Sequence, residues 1–139
     1  MHNYLHRRVM IVDDSKLDRF IATSAIERNE FAEEIVSFGS GIDALEYLHS
    51  LKNPSLCPEV IFLDINMPVM NGFEFLNDYM KLPPSIQKRS SIIMISSSES
   101  SDDFRKIKAY PCIEMFFSKP FSPSILTTIR KHDEAKSVH

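Results

Sequence analysis

The chain is short of cysteine, of long apolar runs and of net charge, and each shortage removes a class of function. Its two cysteines, Cys57 and Cys112, have no CxxC partner and no secretory context, so they read as reduced thiols of a cytoplasmic protein. No stretch approaches the roughly 20 apolar residues of a spanning helix. The polar start, Met1 to Arg8, has no apolar signal core, so export and membrane insertion are not expected. A formal net charge of -3 with 25% charged residues sets up no strong field. Direct partnership with nucleic acid or an anionic membrane is therefore not expected. The chain contains neither GxGxxG nor GxxxxGKS/T, which leaves a flavin or nucleotide binder without its phosphate cradle. Its five histidines show no HExxH or other ligand spacing. His2, His6, His49, His132 and His139 read as surface or tail residues rather than metal ligands or phosphodonors.

What remains is a chain of 139 residues with 43% hydrophobic content, enough for one domain with a real core. We expect a single domain over residues 1–139, with a core at about 8–131 and a polar, frayed tail from Lys131 onward. Five apolar, β-branched runs each end on polar residues. Val9 to Val12 leads into Asp13 and Asp14, and Val60 to Leu63 into Asp64. Ile92 to Ile95 leads into Ser96, and Glu114 to Ser118 into Lys119. The remaining run, Ile35 to Phe38, ends among small polar groups at Ser37 to Ser40.

Helical periodicity fills the gaps between these runs. Ser15 caps Lys16 to Asn29, where Leu17, Phe20, Ile21, Ser24 and Ala25 form a stripe expected to face the sheet. Ser40 with Asp43 opens a second helix, with Ile42, Leu45 and Leu48 on one face and an end near Lys52. Phe73, Leu76 and Met80 mark a third, stopped by Pro83 and Pro84. Ser100 with Asp103 opens a fourth, carrying Phe104 and Ile107. Ser122 and Pro123 open the last, carrying Ile125, Leu126 and Ile129. Met67, Met70, Met80 and Met94 read as packing residues.

Short apolar strands without alternation suit a sheet covered on both faces, and a repeated βα order predicts right-handed crossovers. The expected fold is α/β: a (βα)5, flavodoxin-like, doubly wound parallel sheet of five strands in the order 2-1-3-4-5. All carboxyl ends of its strands share one rim, where Asp13, Asp14, Asp64, Ser96 and Lys119 would meet. Clustered carboxylates repel one another, and protonation or a cation must relieve the field. A hard divalent ion such as Mg²⁺ takes a few oxygen ligands from protein and completes its shell with water and phosphate oxygens. Lys119 would bring a point charge suited to a phosphoryl oxygen, and Ser96 a hydrogen-bond donor. One carboxylate left as nucleophile in that setting is an aspartyl-phosphate site.

The segments VMIVDDS (Val9 to Ser15), FLDINMPVMNGFEFL (Phe62 to Leu76), IIMISSS (Ile92 to Ser98) and FFSKPF (Phe116 to Phe121), in this order and each at a strand end, resemble the receiver domains of two-component response regulators. The match runs from about Arg8 to Lys131. The resemblance implies that Asp64 is the phosphoacceptor, supplied by a phosphohistidine of a sensor histidine kinase or a histidine phosphotransfer protein. It implies Mg²⁺ (or Mn²⁺) held by Asp14 directly, by Asp13 partly through water, by Asp64 and by the backbone carbonyl of Asn66. Lys119 would pair with the phosphoryl group, and Ser96 would serve as the switch hydroxyl. Phe116 would stand where many relatives carry Tyr, as the switch aromatic. The Lys119–Pro120 bond would be cis, and Gly72 would allow the tight entry to the third helix. The surface altered by phosphorylation would comprise the helices after Ser100 and Ser122 with the fifth strand.

The resemblance further implies a stand-alone, cytoplasmic phosphorelay module that acts on a downstream protein effector or relays the phosphoryl group, as a monomer or a phosphorylation-dependent dimer. Its only enzymatic work would be its own phosphorylation and dephosphorylation. Two stretches depart from the family pattern: Leu82 to Ser91 is longer and more polar than usual, and Ala109 to Ile113 replaces a Gly-containing turn. A metal-dependent aspartyl phosphatase is the competing reading. Such enzymes place a second Asp two residues after the nucleophile as acid/base, and here that residue is Asn66.

Overall fold

The computed structural model describes residues 4–97 and 100–137. Ser98, the last residue of the IIMISSS segment, and His2 and His139 lie outside them.

Five strands, β1 (His6–Val12), β2 (Ala32–Phe38), β3 (Val60–Leu63), β4 (Ser91–Ser96) and β5 (Ile113–Ser118), form one sheet in the order β2-β1-β3-β4-β5, every pair parallel. This is the expected doubly wound topology. Successive strand residues point to opposite faces. Met10, Val12, Ile61, Leu63, Ile92 and Met94 therefore enter one core, while Val9, Ile11, Val60, Phe62, Ile93 and Ile95 enter the other. Burial on both faces is why these runs show no polar alternation.

The helices that close the two cores are α1 (Lys16–Arg28), α2 (Gly41–Ser50), α3 (Gly72–Tyr79), α4 (Pro84–Gln87), α5 (Ser101–Lys108) and α6 (Pro123–Ser137), with a 3₁₀ turn at Pro54–Leu56. α2 and α3 cover one face, and α1 and α6 the other. The expected caps on the first two helices are in place. Ser15 Oγ accepts from the Asp18 amide and Ser40 Oγ from the Asp43 amide. Asn71 adds a full capping box with Glu74.

Five expectations change. The α1 stripe is rotated: Leu17 and Phe20 are 67% and 68% exposed, Ala22 and Ile26 are buried, and Ile21 and Ala25 are half-buried. The inward row is Asp18, Ala22 and Ile26, at i, i+4 and i+8: Ala22 and Ile26 enter the core, and Asp18 meets Lys119 at the rim. The link after α3 holds an additional single turn, α4, which starts on Pro84 and buries Ile86. The tail is helical to Ser137: Lys136 pairs with Glu114 of β5, and Asp133 lies 3.4 Å from His6 Nε2. His6 is accordingly no surface residue, since its Nδ1 also meets Glu59 Oε1 at 2.8 Å. Finally, Met67 and Met94 are buried as expected, but Met80, Ile42 and Phe104 are exposed at the edges of their helices.

Candidate functional site: the carboxyl rim of the sheet

Register determines which side chains meet. Val12 of β1 is aligned with Leu63 of β3, so the next residues, Asp13 and Asp64, are neighbours; the Asp64 amide donates to Val12 O at 3.0 Å. Ser96 of β4 is aligned with Ser118 of β5, and the Lys119 amide donates to Ser96 O at 3.0 Å. Asp13, Asp64 and Lys119 line one pocket together with Asp18, and Asp14 joins Asp13 and Asp64 in a cluster of three carboxylates; Ser96, buried at the adjoining end of β4, is not among the residues that line the pocket.

Asp13, Asp64 and Ser96 are buried, whereas Asp14 is exposed. One carboxylate oxygen from each of Asp13, Asp14 and Asp64 lies within 4.8 Å of the others. Asp13 is oriented by two contacts: its Oδ1 accepts from the Ser15 amide at 2.9 Å, and its backbone carbonyl accepts from Arg19 Nη1 at 2.7 Å. The Lys119 ammonium sits across the pocket, 2.7 Å from Asp18 Oδ2, 2.9 Å from Asp13 Oδ2 and 3.6 Å from Asp64 Oδ2. The Lys119–Pro120 bond is cis.

Burial and the Asp13 carboxylate push the Asp64 carboxyl up to about 6; Lys119 and the Asn66 amide pull against them, and Asp14 adds to the rise. Lys119 moves above its ordinary value: burial opposes its charge, but the carboxylates of Asp18, Asp13 and Asp64 outweigh it. A single ammonium therefore leaves the acids under-compensated. An all-oxygen donor set with that surplus, exposed on the Asp14 side, suits a hard divalent cation.

Two further positions shape the rim. A methyl group at Gly72 would stand 2.6 Å from the Asp64 carbonyl oxygen and 3.0 Å from Ile65 Cα, so only glycine lets α3 start this close to the β3 turn. Phe116, half-buried on β5, meets Phe104 of α5 edge-on, with ring centroids 5.3 Å apart. Asn66 is exposed on the loop that follows Asp64. The sequence reading missed Asp18 and Arg19. Both lie in the first turn of α1, directly after the strand end that carries Asp13, and that nearness to the rim is the signal that could have found them.

Residues 9–131 match the family model described as the response regulator receiver domain. Among curated proteins, the chain is 35% identical over 98 residues to a protein-glutamate methylesterase/protein-glutamine glutaminase of Burkholderia thailandensis, covering 70% of this chain and 26% of that protein. It is 31% identical over 128 residues to the protein of the same name from Halalkalibacterium halodurans, covering 91% and 34%. The chain thus spans about a quarter to a third of the length of these curated relatives. Among solved structures, a two-component response regulator from Cytophaga hutchinsonii superposes with a TM-score of 0.83 at 28% identity, covering 94% of this chain and 97% of that one. A chemotaxis response regulator of Vibrio cholerae gives 0.72 at 27%, covering 91% and 98%. With this sheet order, this rim and these matches, the chain belongs to the response regulator receiver domain family.

Proposed function

We propose that the chain accepts a phosphoryl group on Asp64 from a phosphohistidine of a sensor histidine kinase or histidine phosphotransfer protein, and that the resulting change is read by a downstream protein partner or the group is passed on. The observation that carries this reading is the placement of Asp64: buried at a strand end, 3.6 Å from the Lys119 ammonium and beside two further carboxylates. Asp13, Asp14 and Asp64, with the backbone carbonyl of Asn66, would hold Mg²⁺ or Mn²⁺, which when bound supplies neutralising charge for the carboxylates and phosphoryl oxygens.

The chain's own residues divide the remaining work. An Asp64 carboxylate oxygen forms the bond to phosphorus as the donor's nitrogen leaves with its electron pair. Lys119 faces the same oxygens as a point charge, and burial of the pocket strengthens that attraction. Ser96, buried at the end of β4, donates its hydroxyl to a phosphoryl oxygen. Its displacement opens space toward Phe116, which is half-buried against Phe104 and free of the hydroxyl a tyrosine would carry. A population shift of this kind needs a coupling of about 1 to 3 kcal/mol. Asn66 leaves no second acid two residues after Asp64, which favours a lasting acyl phosphate over phosphatase turnover.

The test is intact-mass measurement after incubation with acetyl phosphate and Mg²⁺. Wild type gains one phosphoryl mass and Asp64→Asn gains none; equal gain in both would place the nucleophile elsewhere.

A further inference from the structure

Lys119 has its shortest contact with neither the acceptor nor the clustered acids, but with Asp18 at 2.7 Å. We propose that Asp18 is a positioning residue that retains the Lys119 ammonium in the resting pocket, so that loading Asp64 requires Lys119 to exchange the Asp18 carboxylate for a phosphoryl oxygen. This inference rests on the reading of Asp64 as acceptor.

Three observations carry it. Asp18 is fixed in place, because its amide donates to Ser15 Oγ at the capped start of α1 and it shares an inward row with buried Ala22 and Ile26. The carboxylate cannot follow Lys119 far. Asp18 also stands outside the group of three carboxylates that can hold a cation. A cation held by Asp13, Asp14 and Asp64 would draw Asp13 away from the ammonium and leave Asp18 as its remaining anionic partner. Lastly, Asp18 lines the same pocket as Asp64, so its charge opposes any incoming anion. Arg19, also in the first turn of α1, is directed to the Asp13 carbonyl.

With acetyl phosphate the step balances without a proton. Asp64 forms a bond to phosphorus, the phosphorus–oxygen bond to the acetyl group breaks, and acetate leaves with the electron pair. Lys119 keeps its proton and changes partner. The Asp18→Asn variant keeps the shape of the side chain and removes the charge.

The experiment follows phosphorylation by acetyl phosphate at saturating Mg²⁺ through intact mass, in wild type, Asp18→Asn and Asp18→Glu. Asp18→Asn should react about fivefold faster than wild type, as expected for releasing a partly exposed ion pair, and Asp18→Glu should fall between the two. A second measurement on wild type needs no variant: the ¹⁵N resonance of Lys119 Nζ should move when beryllium fluoride and Mg²⁺ occupy the site. It should also differ between unmodified wild type and Asp18→Asn. An unchanged or slower Asp18→Asn, an Asp18→Glu as fast as Asp18→Asn, or an unmoved Nζ resonance overturns the proposal. No added mass on wild type would instead defeat the acceptor reading, and this inference with it.

Discussion

The two rims of the sheet handle charge in opposite ways. At the amino rim Glu114 and Glu34 each have a cation of their own, Lys136 and Arg8; His132 Nε2 lies 4.0 Å from Glu114, and His6 stands between Glu59 and Asp133. At the carboxyl rim Asp13, Asp18 and Asp64 share one ammonium, with Asp14 beside them. The consequence shows in two acids of the same sheet. Burial opposes the charge of Glu114, yet Lys136 holds its carboxyl below the usual range. Asp64, buried among like charges, is pushed up to about 6. A matched rim contributes to stability; a mismatched one costs stability and is retained where a ligand completes it.

The largest expected effect is steric and breaks the mismatched rim. Gly72→Ala should destabilise the protein by about 2 kcal/mol, because the new methyl group overlaps the Asp64 carbonyl and backbone must shift. Urea unfolding midpoints measure it, and a loss under about 0.5 kcal/mol would show that the close approach is easily relieved.

Next comes the electrostatic cost of the acids. The folded Asp64 carboxyl keeps its proton to about pH 6, while the unfolded one releases it near 3.8. Between those values the native state binds more protons, so this group's contribution to stability falls as pH rises and stays low above about 6. Metal-free Asp64→Asn should therefore be more stable than wild type at pH 7.5, by on the order of 1 to 3 kcal/mol. The gain should shrink toward pH 4. A variant less stable than wild type at pH 7.5 would mean that Lys119 already compensates the rim.

The smallest effect belongs to the matched rim. The lowered Glu114 carboxyl contributes stability above its unfolded value, and that contribution is lost as pH falls through the folded one. Glu114→Gln should cost no more than about 1 kcal/mol at neutral pH, given the exposure of Lys136. The same urea titration reads it, and a gain in stability would erase the contrast between the rims.

The parts of this fold that were readable in the sequence are those set by local pattern. Unbroken apolar runs ending on Asp13, Asp64, Ser96 and Lys119 mark buried parallel strands and their rim, and Ser15 and Ser40 mark helix starts. What escaped depends on contacts distant in sequence. The α1 stripe through Leu17 and Phe20 is as regular as the true inward row, and the row that faces inward is the one whose Ala22 and Ile26 enter the core and whose Asp18 meets Lys119, 101 residues away. Along α6, likewise, Asp133 approaches His6 of β1 and Lys136 pairs with Glu114 of β5, contacts that a polar tail does not advertise. Asp18 went unnoticed because an acid in the first turn of a helix suits the helix dipole, a role any solvated helix could give it.

That the acids of the carboxyl rim are assembled for a divalent cation is tested most directly by calorimetric titration of the metal-free protein with Mg²⁺, comparing wild type, Asp14→Ala and Ser97→Ala. Both substitutions are at exposed positions on the same rim, but only Asp14 belongs to the three-carboxylate group. Asp14→Ala should weaken binding by at least about tenfold, the loss already typical of residues that merely support metal ligands, while Ser97→Ala should bind as wild type does. Equal affinities for the two variants would contradict the account.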